Sequence, residues 1–368
     1  MRKMHNEAGA HEAGAASGAF VASLIESSRR AWANNCAWRM GQTHPEMAGA
    51  PTTASGGGWH SYFESLLQHL SAALEFDAPE LLNEQARWLR VSFDSRDLDP
   101  ALVTNSLSCV REELAERLPP RAAPVALALL DRALEAAALP IPSASSALSG
   151  QDATASLARE YLLAALEGRR EDAVSLALAA LDRGLSVEQL SREVLGRVQN
   201  ELGAMWHRSQ LSVVEEHMVS RTTEAVLARL PAKMPQTPLN GLRVLVTSVD
   251  GDLHDIGLRV VATHFEMAGW QVIYLGASTP PPEVALAAAE FEVNLIAAGA
   301  KLVTQLKAAA QLVQLLRADP RTRSLPVIFG GRPFELAPKL WRALGADGMA
   351  TNAAQAVELG TRLVGRGA

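Results

Sequence analysis

At residue 241 the period of the apolar pattern changes, and that change does most to limit what the chain can fold into. Beyond it, short apolar runs at 243–249, 271–275, near 293–298, at 326–329 and near 348–350 alternate with helical stretches. Strands that alternate with helices make a parallel sheet covered on both faces, because each crossover lays a helix over the sheet. Residues 240–368 are the right length for a five-strand, flavodoxin-like (Rossmann-like) doubly wound domain. In such folds ligands sit outside the carboxyl ends of the strands, where the strand order reverses.

Everything before that point reads as helix or linker. In 150–232, Leu157, Tyr161, Leu162, Ala165 and Leu166 share one helical face, and Arg183-Gly184 is a stop. Ser186 with Gln189, and Ser212 with Glu215, have the spacing of capping boxes that open new helices. A bundle of about four helices follows. Residues 59–145 form a separate helical domain, with apolar positions at Phe63, Leu66, Leu67, Leu70, Leu81, Leu82, Trp88 and Leu89, and breaks at Pro100 and Pro119-Pro120. Pro- and Ser-rich residues 140–146 read as a linker. Residues 1–58 are rich in Ala, Gly and Ser and end in Ser55-Gly-Gly-Gly58; they read as a flexible segment with one helix over 20–38. Cys36 falls in that segment and Cys109 in the helical core. The expected class is therefore α plus α/β, in four parts.

Composition narrows the functions. The chain has 368 residues, enough for two or three domains, and its net charge is −6 without a long Lys/Arg block. A nucleic-acid partner is not expected. No run of 18 apolar residues suggests a membrane span, and the N-terminus lacks the continuous apolar core of a secretion signal. Two distant cysteines exclude a disulfide scaffold or Cys-rich zinc module and suit the cytoplasm.

The loop after the first strand, Asp250-Gly-Asp-Leu-His-Asp-Ile-Gly257, lies where this fold places ligands. It is neither a dinucleotide fingerprint nor a P-loop. It offers one imidazole, His254, with Asp252 two residues before it. A carboxylate that accepts one ring N–H leaves the other nitrogen as a metal ligand. Gly257 clears side-chain bulk from the approach. Alone, such a histidine is equally compatible with a solvated loop side chain. Zinc would want three or four protein ligands; a single histidine suits a metal carried by a macrocycle.

With Asp255 and Ile256 inside it, this loop resembles the cobalamin-binding signature of the methionine-synthase type, Asp-x-His-x-x-Gly. The resemblance implies that His254 is the lower axial ligand of cobalt, in place of the cofactor's own benzimidazole, and that the displaced nucleotide tail threads beside the sheet. Gly330-Gly331 after the fourth strand matches the family's Gly-Gly, which lets the tail pass close to backbone. After the third strand the family's Ser-x-Leu/Thr is not matched. Gly299-Ala-Lys-Leu302, followed by Val303-Thr304, lacks the usual hydroxyl, with Thr304 the candidate substitute. Gly299, Leu302 and Val303 are carried as tail-binding positions.

Trp206-His207 close one helix, and Glu216-His217 lie in the first turns of the next. The short connection makes the helices antiparallel neighbours, so all four side chains start at one end of a hairpin. This Trp-x9-Glu-His pattern is similar to the cap of adenosylcobalamin photoreceptors. It implies adenosylcobalamin as cofactor, with Trp206 covering the upper corrin face, Glu216 and His217 beside the adenosyl group, and His207 ligating cobalt after light expels that group. The three-part layout resembles the photocobilins, which implies biliverdin as a second chromophore. Trp59, His60, Tyr62, Phe63, His69, Phe76, Trp88 and Phe93 are then candidate bilin-pocket residues; the same stripe also serves as ordinary helical core. The expected function is light sensing through a light-dependent change of homo-oligomer, passed to a downstream signalling protein, and not an enzyme, since no nucleophile–base–orienter set is present. The alternatives are a corrinoid methyl carrier of a methyltransferase system and a non-photochemical regulator that senses a corrinoid or another tetrapyrrole.

Overall fold

The computed structural model describes residues 4–45, 58–140, 145–234 and 237–365, with side chains from Gly18 onward. It divides into two units, Met1–Pro142 and Ser143–Ala368.

The first unit is a helical bundle of α1 (Met4–Thr43), α2 (Trp59–Glu75), α3 (Pro79–Asp94), α4 (Ala101–Arg117) and α5 (Ala123–Ala138). Helix α1 corrects the expectation of a flexible segment with a helix over 20–38 only. Val21, Ile25, Ala33, Cys36 and Met40 are buried in the bundle core. They recur at helical spacing, and the small residues around them let neighbouring helices approach. Cys36 is thus a core residue. Its thiol faces the Cys109 carbonyl at 4.0 Å, and the Cys109 thiol faces the Cys36 carbonyl at 3.7 Å. Ser55 to Gly57 lie outside the described residues.

The aromatic stripe is core as well. The Trp59 ring stacks on Phe63 at 5.9 Å and meets Tyr62 edge-on at 5.3 Å, while Phe93 closes on Tyr62 at 5.8 Å. The Tyr62 hydroxyl pairs with Ser106 Oγ at 2.6 Å. Phe76 is buried at the end of α2, Trp88 packs against the same cluster, and His60 faces Glu64 at 3.6 Å. These rings spend on each other the faces that a flat tetrapyrrole would need, so the expected bilin pocket is corrected to helical core.

Buried His69 holds the Ser65 carbonyl through Nδ1 at 2.8 Å, and burial lowers its pKa below the ordinary 6.5. A folded-state pKa below the unfolded one stabilises the fold above the unfolded value and loses that contribution as pH falls. We expect the urea midpoint of the chain to drop below pH ~6.5, with a slope of at most about 1.4 kcal/mol per pH unit from this group. His69→Gln should flatten that slope; an unchanged slope assigns it to other groups.

In the second unit, α6 (Ala153–Leu166) and α7 (Arg170–Asp182) are followed by α8 (Val187–Gln189), a π-helical stretch (Leu190–Gly196) and α9 (Arg197–His207), which form one continuous run, and then by α10 (Val213–Arg229). Both expected capping boxes are present, at Ser186–Gln189 and Ser212–Glu215. Of the expected linker, 141–144 lie outside the described residues. From Ala147 the chain is docked on the bundle: its N–H donates to the buried carboxylate of Glu201 at 2.6 Å, and Leu148 is buried.

The sheet has five parallel strands in the order β2-β1-β3-β4-β5. They are β1 (Arg243–Val249), β2 (Gln271–Thr279), β3 (Leu295–Gly299), β4 (Val327–Gly330) and β5 (Gly348–Met349). Connecting them are α11 (Ile256–Met267), α12 (Pro281–Glu290), α13 (Leu306–Ala318), α14 (Arg332–Leu336) and α15 (Leu340–Ala343), and α16 (Ala353–Gly365) ends the fold. The order reverses at β1, whose Ser248 stands opposite Gly299 of β3. The loops leaving β1 and β3 therefore lie side by side. Ile256, Val260 and Met267 of α11 pack against the bundle core with Leu190, Val198, Leu202 and Val226, which sets the helical cap on that side of the sheet domain. No helix among the described residues is long and apolar enough to cross a membrane.

Candidate functional site

The β1–α11 loop begins with Gly251 at φ +79°, a left-handed turn that glycine takes without strain. The turn folds Asp252 inward, and its side chain is buried. Asp252 Oδ1 accepts from His254 Nδ1 at 2.9 Å and from the His254 amide at 3.0 Å, while Oδ2 accepts from the Lys301 amide at 2.8 Å. A carboxylate only accepts, so Nδ1 of His254 carries the proton and Nε2 carries the lone pair. The imidazole is 57% exposed. The chain thus presents one imidazole edge, Nε2, oriented from behind by a buried carboxylate.

The rest of the loop is also fixed. The Asp252 carbonyl accepts from Ser248 Oγ at 2.6 Å and from the Ser278 amide at 2.9 Å. Ser278 Oγ takes the Gly251 amide at 2.9 Å. Asp255 Oδ2 accepts from the Tyr274 hydroxyl at 2.8 Å and from Arg259 Nε at 3.1 Å, and the Arg259 guanidinium lies over the Tyr274 ring. That carboxylate is engaged by its own neighbours. Ile256 packs against the cap, and Gly257 has open space where a side chain would start.

On the β3 side, a side chain at Gly299 would press on Leu258 at 3.0 Å, so glycine lets α11 sit close on the sheet. Leu302 is half exposed and Val303 buried. Thr304 is exposed; the partner that Asp252 Oδ2 finds in this loop is the Lys301 amide. At Gly331, with φ +114°, a side chain would lie 2.1 Å from the Ala300 carbonyl, and at Gly330 one would lie 3.1 Å from the Ala350 carbonyl. Both glycines are needed by backbone approaches between the strand ends. Sequence reasoning missed Gln305, which is buried and bridges the two loops. Its signal was a Gln three residues after the turn-opening Leu302, the second half of a capping box without a hydroxyl at its start.

In the cap, Ser209 at φ +58° ends α9, and the Gln210 amide closes back on the Met205 carbonyl at 2.9 Å. Trp206 and His207 at this end are half-buried. Glu215 is consumed by the capping box, accepting the Ser212 amide at 2.8 Å, which holds its carboxyl below the usual range. Glu216 accepts from Ser220 Oγ at 2.6 Å and faces His217 Nε2 at 3.6 Å, with His217 largely exposed. The four cap residues therefore stand on two consecutive helices joined by one tight connection.

Among the described residues no cluster of three or more His, Cys, Asp or Glu could hold a metal ion. One carboxylate-backed imidazole with its second nitrogen free fits a metal whose remaining positions are already filled. Together, the helical cap, the doubly wound sheet and this histidine at the switch point define a binding protein for a metal-bearing macrocycle.

Residues 157–230 and 242–358 each match a family model described as a B12 binding domain. Dimethylamine corrinoid protein 1 of Methanosarcina mazei is 29% identical over 191 residues, 51% of this chain and 87% of the relative. Dimethylamine corrinoid protein 3 of the same organism is 30% identical over 161 residues, 43% of this chain and 95% of the relative. The solved monomethylamine corrinoid protein of Methanosarcina barkeri shares the fold at TM-score 0.52 and 21% identity, over 57% of this chain and all of its own. The chain belongs to the family of B12-binding corrinoid proteins.

These relatives overturn the photoreceptor expectation. The Trp-x9-Glu-His pattern and the Asp-x-His-x-x-Gly loop lie within the two B12 binding domain matches, and the relatives that the chain resembles are corrinoid proteins named for dimethylamine. Light sensing, the light-dependent oligomer change and the signalling partner fall with that expectation.

Proposed function

We propose that this chain is the corrinoid methyl carrier of a methyltransferase system. The observation that carries the reading is the Asp252–His254 pair, with Nε2 left free at the switch point of a B12-binding domain; the names of the relatives support the methyl-transfer context. A bound corrinoid supplies a cobalt that accepts and releases a methyl group.

The residues of this chain do the holding. His254 would hold the metal of the corrinoid through Nε2, and Asp252 fixes the direction of the ring from behind. Gly257 leaves room over the loop, while Leu302, Val303, Gly299 and the Gly330-Gly331 turn line the path of the nucleotide tail. Trp206 covers the upper side with a large flat apolar surface that limits water. His207, Glu216 and His217 supply the polar rim of that cover. A carrier needs neither an adenosyl group nor a bilin. Its partners are the proteins that deliver and remove the methyl group, and it is not by itself the enzyme.

The reading is tested by loading the chain with methylcobalamin and adding a corrinoid:thiol methyltransferase with its thiol. The expected result is thioether product at a rate that saturates with loaded chain. A rate no greater than with free methylcobalamin at the same concentration counts against the carrier role.

A further inference from the structure

We infer that Gln305 is a positioning residue for the axial ligand: it locks the His254 arm in place before the corrinoid arrives. The inference rests on the reading of His254 as axial ligand. Gln305 is 5% exposed. Its Oε1 accepts from the Leu302 amide at 2.8 Å and from the Lys301 amide at 2.9 Å, and its Nε2 donates to the Gly251 carbonyl at 3.2 Å. A side-chain amide oxygen has two lone pairs, and both are used.

These bonds connect the two loops that flank the switch point. The Lys301 N–H is shared between Gln305 Oε1 and Asp252 Oδ2. One end of the amide therefore fixes the amide that holds the Asp252 carboxylate. The other end fixes Gly251, the residue just before Asp252, whose own N–H is held by Ser278 Oγ. Asp252 in turn holds both the ring and the amide of His254. Gln305 thus acts on both the backbone and the carboxylate behind the imidazole, without touching the imidazole.

Removing the amide leaves the Leu302 N–H and the Gly251 carbonyl without this partner and frees Lys301 to drift from Asp252. The imidazole then samples directions in which Nε2 no longer meets the metal. Outer partners of metal-bound histidines typically contribute about 10–100-fold to affinity, and that range is expected for Gln305.

The test uses the full chain as wild type, Gln305→Leu, Gln305→Glu and His254→Ala, loaded with hydroxocobalamin. Affinity is measured by titration. Axial ligation is read by electron paramagnetic resonance of the reduced cobalt, with isotopically labelled histidine identifying the nitrogen. Gln305→Leu should bind about 10–100-fold more weakly and show a reduced histidine-nitrogen signal. Gln305→Glu keeps the acceptor for the two amides but loses the donor to Gly251, so it should fall between wild type and Leu, and it serves as the folded variant if Leu does not fold. Wild-type affinity and a full histidine signal in the Gln305 variants, with both lost in His254→Ala, overturn the inference while leaving the axial ligand standing. Weaker binding with a full histidine signal also overturns it, since the effect is then structural only. No histidine signal in wild type overturns the axial-ligand reading itself, and this inference with it.

Discussion

His254→Ala leaves the apo chain folded and removes the axial histidine nitrogen from the loaded protein. The side chain is 57% exposed, so its loss costs little packing, and an exposed-loop substitution shifts stability by about 0.5 kcal/mol or less. Asp252 keeps two of its three donors, the amides of residues 254 and 301. The effect on binding is far larger. If residues that only orient a metal-bound histidine contribute about 10–100-fold, the ligand itself contributes at least as much. Hydroxocobalamin affinity is expected to fall by about 100-fold or more, with an unfolding midpoint near wild type in the apo state. Equal affinity, or retention of the histidine nitrogen signal, would falsify the assignment of His254.

Much of this site can be read from the sequence because its logic is local. The apolar runs placed the strands, and parallel alternation placed the loop after β1 at the switch point, which the order β2-β1-β3-β4-β5 bears out. A carboxylate two residues from a histidine can close back on it within one turn, and it does, at 2.9 Å. What could not be read depends on partners distant in sequence. Gln305 is 54 residues from the Gly251 carbonyl that it holds. Its turn opens with Leu302, so no hydroxyl flagged it. Helix α1 was missed for a different reason: Ala, Gly and Ser make a weak apolar signal, yet Val21, Ile25, Ala33, Cys36 and Met40 suffice to bury one face when other helices supply the larger side chains. The aromatic stripe in α2 and α3 carries the same pattern whether it lines a pocket or fills a core, and only ring-on-ring distances distinguish the two. The photoreceptor reading failed at the level of chemistry. The interval from Trp206 to Glu216 records the length of the connection between two consecutive helices, and that length does not name the group such a cap would cover.

Asp252→Asn should separate orientation from ligation, because the substitution keeps volume and removes one acceptor. Asp252 now takes three donors: Nδ1 of His254 at 2.9 Å, the His254 amide at 3.0 Å and the Lys301 amide at 2.8 Å. An asparagine has one oxygen and one NH2, so one side of this arrangement must oppose a donor to a donor. If the NH2 faces His254, Nδ1 becomes the acceptor, the proton moves to Nε2, and the lone pair needed for the metal is gone; a histidine held in the wrong tautomer is inactive even with its geometry intact. If the NH2 faces Lys301 instead, the imidazole keeps its tautomer but the Lys301 amide meets a donor in place of the carboxylate and keeps only Gln305 Oε1, a buried clash that costs about 1–3 kcal/mol. The first orientation keeps the Lys301 bond and the ring bond and leaves its one donor-to-donor conflict at the His254 amide, which is only partly buried, so it is the one we expect. Asp252→Asn should therefore bind hydroxocobalamin about 10–100-fold more weakly, with apo stability reduced by less than the buried-clash figure. Calorimetric titration and thermal unfolding of the same preparation measure both quantities. Full-strength binding together with a large loss of apo stability points to the second orientation and removes the tautomer argument. Wild-type values of both mean that Asp252 does not position the ligand.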